Sequence, residues 1–390
     1  MVEMTHRGGG HGDTLTWLRK SQGVSTVGSM STPIERVRSL LDERGLTQAE
    51  LGQAIGLDPS KMSKSLGGQR RFSSVEFAQI AEHTGVTVDW LLTGAVDEVA
   101  LAARAESGTN AADAARLART VVELAQVAAD LGRAPRRAAL PVVDLETGTW
   151  REQGERLAAA ALAVPGAEGV ASSLDLAGAV ERVYGIDVGV LDIEHEVDGL
   201  CARQGEVTVI LAATTPLAAR QRFTLAHELG HALAGDDQGL RIDVDVTNPG
   251  RDGTEVRANA FAAAFLMPED GIRARVGDQM PTRELVAALA LDLAVSPSAL
   301  VSRLESLGLV DGLTAGRLSD MSVKQAQQIT GRASEWVERT ALSKQERPPA
   351  DLAAELYAAY VEGRTTLRPY ARLLGEDVEE LRASLEATGG

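Results

Sequence analysis

Apolar positions in the first part of the chain recur at helical spacing. Ile34, Val37, Leu40 and Leu41 make one stripe, and Leu51, Ile55 and Leu57 the next. Met62 and Leu66 follow, then Val75, Phe77, Ile80 and Ala81. Gly45, Gly56, Gly67-Gly68 and Gly85 punctuate the stripes. The pattern predicts four or five short helices joined by tight turns between Thr32 and Gly94. Thr47, with Glu50 three residues on, reads as a capping box. Asp58-Pro59 reads as an N-cap followed by proline at the first helical position.

Beyond Asp97 the chain is Ala-rich to Leu131, with charges at helical spacing, which predicts one or two long helices. Gly132 to Thr149 holds Pro135, Arg136-Arg137 and Pro141 and reads as a linker. Residues 151–185 read as helical. Val188, Val190 and Ile193, and then Val207–Ala212, read as strands. Helices are expected over Leu217–Gly235, Glu255–Met267, 282–310 and 322–388, with Pro348-Pro349 breaking the last block. No fixed-period repeat is present. The expected fold is mainly α with a small β-sheet, an α+β multidomain chain. Its expected parts are a disordered arm or over-called start (1–30), a bundle of short helices (31–95), an Ala-rich helical segment and linker (96–150), a mixed helix and strand core (151–280), a small helical module (281–312) and a C-terminal helical region (313–390).

Charge narrows the function. Lys and Arg number 39 against 55 Asp and Glu, a net charge of −16. Such a chain is no general polyanion binder, so DNA contact must come from a local basic patch. Aromatics at 3% argue against a base-stacking single-strand binder. The single cysteine, Cys201, excludes an intramolecular disulfide framework and a Cys-based zinc cluster. It sits before an expected strand. No apolar run approaches the roughly 18 residues that span a bilayer. A cytoplasmic protein without a membrane partner is expected.

The chemistry concentrates in His227-Glu228-Leu229-Gly230-His231. Histidines at i and i+4 share one helix face, so their imidazoles can converge on a tetrahedral cation. Glu228 is rotated off that face and can reach a bound water. Two histidines need a third protein ligand. Glu255 and Asn259, again i and i+4, share a face of the next helix, the first able to ligate and the second to hydrogen-bond a ligand histidine. Asp236, Asp237, Asp243, Asp245 and Glu269 are rivals for the third position, and spacing alone leaves the choice open.

Arg222 to His231, followed by Glu255-x-x-Ala258-Asn259-x-Phe261-Ala262-x-x-Phe265-Leu266-Met267-Pro268, closely resembles the ImmA/IrrE family of zinc metallopeptidases over roughly residues 172–310. The resemblance implies one Zn2+ per chain, held by His227, His231 and Glu255, with Glu228 as general base. Leu293–Leu309 resembles the small helical module that follows the family's core. Tyr184, His195 and Arg222 are candidates for stabilising an oxyanion, although structural duty is the plainer role for each.

Residues 34–92 resemble the phage-repressor, or xenobiotic-response-element, class of helix-turn-helix domains. The carrying residues include Arg44-Gly45-Leu46-Thr47-Gln48-x-Glu50-Leu51 and Lys61-Met62-Ser63-Lys64-x-Leu66. The resemblance places the helix beginning near Asp58 in the major groove of double-stranded DNA, showing Ser60, Lys61, Ser63 and Lys64. Gln48 is then placed to bond a phosphate, and Arg70 and Arg71 to sit beside the backbone. Ser60 to Ser74 carries four cations and no acid. A homodimer on two half-sites is the expectation for this class. A helical protein-interaction domain that keeps the fold without DNA is the competing reading. His83 reads as structural.

Together these features favour a DNA-binding transcriptional regulator with a zinc-dependent endopeptidase domain. The family resemblance implies a regulatory protein as substrate, a helix-turn-helix repressor, in stress response or mobile-element control. The alternatives are a regulator or antitoxin-like protein whose zinc domain is a sensor or scaffold with little turnover.

Overall fold

The computed structural model describes residues 32–44, 46–84, 88–93, 109–134, 142–193, 197–236, 240–243 and 253–388. The chain divides into two compact units, 1–96 and 97–390.

The first unit is a bundle of α1 (Pro33–Arg44), α2 (Gln48–Ala54), α3 (Pro59–Leu66), α4 (Ser74–Thr84) and α5 (Val88–Thr93). Its core is the predicted stripe set: Val37, Leu40, Leu51, Met62, Ile80 and Leu91 are buried together. Val75, counted in the fourth stripe, is 67% exposed instead. Thr47 caps α2 through a full capping box with Glu50. Asp58 caps α3 by accepting from Ser60 N at 2.7 Å, with Pro59 in the first turn. The expected Gly45 and Gly85 turns and the arm over 1–30 lie outside the described residues.

The second unit opens with α6 (Thr109–Asp130), α7 (Trp150–Leu162) and α8 (Leu176–Tyr184). Three strands follow, β1 (Asp187–Leu191), β2 (Gly199–Gln204) and β3 (Val207–Ala213), then α9 (Ala218–Ala234) and β4 (Leu240–Asp243). The sheet order is β1-β3-β2-β4. β1 runs parallel to β3, and β2 pairs antiparallel with both β3 and β4. Residues 151–185 are therefore two helices and a single 3-10 turn rather than one helical stretch, broken after Leu162 around Pro165 and Gly166. Cys201 precedes the expected strand, now β3, and lies fully buried inside β2.

Strands β1 to β3 are buried on both faces, and strand alternation sorts their side chains. Val188, Val190, Cys201, Ile210 and Ala212 join the core shared with Leu225, Leu229, Phe261 and Phe265. Leu200, Ala202, Val209 and Leu211 turn the other way, onto Ala118, Val122 and Ala125 of α6. The Ala-rich helix is thus a cover for the sheet. Small side chains let it lie close against the strands.

The chain continues as α10 (Gly253–Leu266), α11 (Glu269–Val276), α12 (Arg283–Asp292), α13 (Pro297–Ser306), α14 (Gly312–Ser319), α15 (Val323–Thr330) and α16 (Ala333–Ser343). The last helices are α17 (Ala350–Val361), α18 (Arg368–Leu374) and α19 (Val378–Thr388). The expected helical block at 282–310 is split at Ala294, whose φ is 53, before Ser296 caps α13. Among the described residues no single helix is long and apolar enough to cross a membrane.

The C-terminal helices return to the sheet. Leu352 and Leu356 of α17 share the core of α6 and the strands. Just before α17 the chain bonds the edge of β1: Val190 N donates to Arg347 O at 2.8 Å and Arg347 N donates to Val190 O at 2.7 Å. The Arg347 guanidinium reaches Glu181 at 2.5 Å, and burial pushes that carboxyl up to about 7 despite the cation.

α7 and α10 touch backbone to backbone at Gly154. A Cβ there would lie 2.3 Å from Arg257 O and 2.8 Å from Phe261 N. Gly154→Ala is therefore expected to destabilise the second unit by about 1–3 kcal/mol through overpacking. Gly271→Ala, in α11 with nothing near the new methyl, should instead stabilise by about 0.5–1 kcal/mol. Calorimetric melting of the two variants checks both signs.

Candidate functional site

His227, Glu228 and His231 lie at the middle and end of α9, all fully buried. Burial follows from the surrounding sequence. Leu225, Ala226 and Leu229 seat the helix on the sheet, and α10 closes over the histidine face. Gly230 is the contact point. A Cβ at that position would lie 2.9 Å from the Phe261 ring, so a larger residue would push α10 away. The fourth residue of the H-E-L-G-H run thus sets the spacing between the two helices.

Across that seam Glu255 and Asn259 face the histidines. His227 Nε2 lies 3.2 Å from Glu255 Oε2, and His231 Nε2 lies 3.3 Å from Glu255 Oε1. The two Nε2 atoms are 3.1 Å apart. The opposite ring nitrogens are held by different partners. His227 Nδ1 meets Asn259 Oδ1 at 3.1 Å, and His231 Nδ1 meets Asp236 Oδ2 at 3.1 Å.

These contacts test whether a metal fits. Both Nδ1 partners are oxygen acceptors, so each Nδ1 carries the proton and each Nε2 presents a lone pair. Two lone pairs and a carboxylate then converge on one point, an arrangement that repels itself unless a cation sits among them. A tetrahedral ion with bonds of about 2.0–2.1 Å sets its ligand atoms roughly 3.3 Å apart. The observed 3.1–3.3 Å separations match that. His227, His231 and Glu255 also form a three-residue group able to hold one ion among the described residues.

Asp236 was a rival ligand in the sequence, and it does a different job. α9 ends at Gly235 in the left-handed conformation, which turns Asp236 back toward His231. Its second oxygen takes the Arg257 guanidinium. Burial raises the Asp236 carboxyl, but the bonds from His231 and Arg257 outweigh it and hold the group below the usual carboxylate range. Arg257 is itself fixed, donating to Gln153 Oε1 at 3.2 Å and lying 5.1 Å from the centre of the Trp150 ring. Arg257 drew no attention as an unremarkable letter inside E-V-R-A-N. The only sequence signal is its place two residues after Glu255, on a helix already expected to supply a ligand.

The remaining rivals separate. Glu269 is exposed and pairs with Arg273 at 2.6 Å. Asp237 and Asp245, and the side chain of Asp243, lie outside the described residues. Among the oxyanion candidates, Tyr184 donates its hydroxyl to Ala161 O at 3.0 Å within the core. Arg222 donates to Ser173 O at 2.5 Å and Ala171 O at 2.6 Å, and burial pushes its guanidinium down to about 10. Both are committed to backbone carbonyls. His195 lies outside the described residues.

In the first unit, α3 exposes Ser60, Lys61, Ser63 and Lys64 and buries Met62, Ser65 and Leu66. Gln48 and Arg71 are exposed. Arg70, expected beside a DNA backbone, is engaged within the unit. Its guanidinium grips Glu76 at 2.6 and 2.9 Å and Ser65 Oγ at 2.8 Å. It holds the Glu76 carboxyl below the usual carboxylate range. The loop charge is thus turned inward to tie α3 to α4.

Comparison with known proteins finds a domain around each of these regions. Residues 182–305 match the family model of the IrrE N-terminal-like domain, and residues 35–91 match a helix-turn-helix domain. The chain carries an IrrE-like peptidase domain and a helix-turn-helix domain. It is 36% identical over 119 residues to the radiation response metalloprotease IrrE of Deinococcus radiodurans. That alignment covers 30% of this chain and 35% of the relative, so the chain spans about a third of the length of the protein it matches. The IrrE-like domain contains the whole cluster from His227 to Asn259, together with α9 and α10.

If Asp236 and Arg257 orient His231, then Asp236→Asn and Arg257→Met should each weaken zinc binding by about 10–100-fold. Titration of the metal-free protein against a chromophoric chelator measures this. Wild-type affinity in both variants would show that His231 is positioned by α9 alone.

Proposed function

We propose that this chain is a DNA-binding regulator with a zinc-dependent endopeptidase domain, which hydrolyses a peptide bond in a regulatory protein. The observation that carries the reading is the convergence of His227, His231 and Glu255 with Glu228 buried beside them on α9. His227, His231 and Glu255 would hold the zinc, and Asn259 would fix the ring of His227. The metal supplies Lewis-acid polarisation of a carbonyl and a lowered pKa for the attacking water.

The chain's own residues do the rest. Glu228 takes the proton of the water at a carboxylate oxygen and returns it to the departing amine nitrogen. Burial of Glu228 shields its carboxylate from bulk solvent, which then does not compete for the proton. Asn259 and Asp236 keep both imidazoles in the tautomer that leaves Nε2 available. A scaffold would need the ligands but not Glu228. Its presence beside both histidines favours turnover.

In the first unit, Lys61, Ser63 and Lys64 would face the major groove of double-stranded DNA, with Ser60, Gln48 and Arg71 toward the phosphates. The pairing of the two domains supports a substrate that is itself held at DNA, a helix-turn-helix repressor, in stress response or mobile-element control. A peptidase delivered to an operator meets such a protein at high local concentration. Two chains on adjacent half-sites would suit a repressor-type reader. The name of the Deinococcus relative, a radiation response metalloprotease, points in the same direction.

Two experiments test the two halves separately. Glu228→Gln should retain zinc and lose hydrolysis by several orders of magnitude, whereas His231→Ala should lose both; metal content and proteolysis of candidate repressors read this. Full cleavage by Glu228→Gln would remove Glu228 as the base. Lys61→Ala with Lys64→Ala should weaken DNA binding and lower its salt slope by about two while sparing zinc. An unchanged gel shift would take α3 out of DNA recognition.

A further inference from the structure

A groove of about 630 Å³ opens beside the candidate metal site, in the size range of sites that bind organic ligands. Its apolar wall is formed by Leu217, Phe223, Val256, Met267, Val295 and Trp336. Leu217 is 55% and Val256 37% exposed, so this wall offers apolar surface to a ligand. The groove continues the seam that holds the histidines. Ala219, Phe223 and His227 fall at i, i+4 and i+8 of α9. Asn259 and Ala263 fall at i and i+4 of α10, and Met267 follows just past its end. Asn259 lines the groove and bonds His227 Nδ1 at 3.1 Å. A chain lying in the groove therefore runs to within one helical turn of the first histidine.

The rim has a sign. Arg151, Arg220 and Arg303 line it with one acid, Glu155. Arg303 is paired with Glu155 at 2.9 Å and Arg220 with Asp198 at 2.5 Å, while Arg151 is exposed and makes no ion pair among the described residues. Arg151 is therefore the cation left to a ligand of the groove, on a chain of net charge −16. It suits an acidic partner and disfavours a second, equally acidic copy of the same chain.

We propose that this groove seats the cleaved protein itself, through a segment that combines bulky apolar side chains with acidic ones. The apolar residues cover Phe223, Val256 and Trp336, and a carboxylate pairs with Arg151. The assignment rests on the peptidase reading and adds a substrate class to it. Cutting would select proteins by an acidic, apolar stretch placed next to the scissile bond.

The test uses the full-length, zinc-loaded Glu228→Gln chain and three short fluorescein-labelled peptides. One contains Leu, Phe and Glu; in the second each apolar residue is Ser; in the third each Glu is Lys. Fluorescence anisotropy should show the first binding about tenfold tighter than either control, the effect of burying one or two apolar side chains with one charge pair. Val256→Ser should erase the apolar preference, and Arg151→Glu should reverse the charge preference. Both positions are exposed, so neither change threatens the fold. Equal binding of the three peptides, or binding indifferent to both substitutions, overturns the assignment. Wild-type protein incubated with the same peptides reads hydrolysis on its own. Selective binding without any cleavage would sink the peptidase reading and keep the groove, and cleavage without selectivity would do the opposite.

Discussion

Three acceptor groups crowd one buried point between α9 and α10, and the arrangement of the second unit serves that point. Bringing two imidazole lone pairs and a carboxylate to 3.1–3.3 Å of one another is unfavourable on its own. It requires two helices pressed together closely, and it requires each ring to be held from behind. Gly230 supplies the close approach by letting the Phe261 ring rest on α9. Asn259 and Asp236 supply the hold from behind. A looser seam would let the groups relax apart into water, and the site would lose its preference for a cation.

Support for that seam comes from remote parts of the chain. α7 lies against α10 at Gly154, at the turn that carries Arg257, and Trp150 and Gln153 pin the guanidinium that in turn grips Asp236. The sheet beneath α9 is covered on its far face by α6 and α17, which are more than two hundred residues apart in sequence. The strand edge at β1 is closed by the Arg347 segment. An open edge would invite pairing with another chain. The unit is thus closed by its own C-terminal part, and the catalytic helix rests on strands buried on both faces.

The two units carry opposite electrostatic assignments. The α3 surface concentrates cations within a strongly acidic chain, while the metal pocket is lined by acceptors that only a cation satisfies. One unit is shaped for a polyanion, the other for a metal and a peptide. Arg70 ties α3 to α4 through Glu76 and Ser65.

Much of this was legible in one dimension because the signals are local. A capping box at Thr47, a proline after Asp58 and histidines four apart depend on a single helical turn, so spacing suffices. Glu255 and Asn259 also stood out by spacing, but choosing Glu255 over Asp236 or Glu269 needed either a family resemblance or the fold. What only the tertiary structure decided is nonlocal. β2 and β4 were missed because Gly199–Gln204 has little β-branched character, and its strand state comes from pairing with β3. The Ala-rich α6 shows no chemistry in sequence, and its role exists only where it meets the sheet. Asp236 and Arg257 are five and twenty-six residues from His231, and their joint task depends on a left-handed turn at Gly235 and on α10 folding back. Composition and periodicity determine which residues can perform chemistry. Only chain crossings determine which of them share a point in space, because that depends on contacts between segments that sequence distance does not encode.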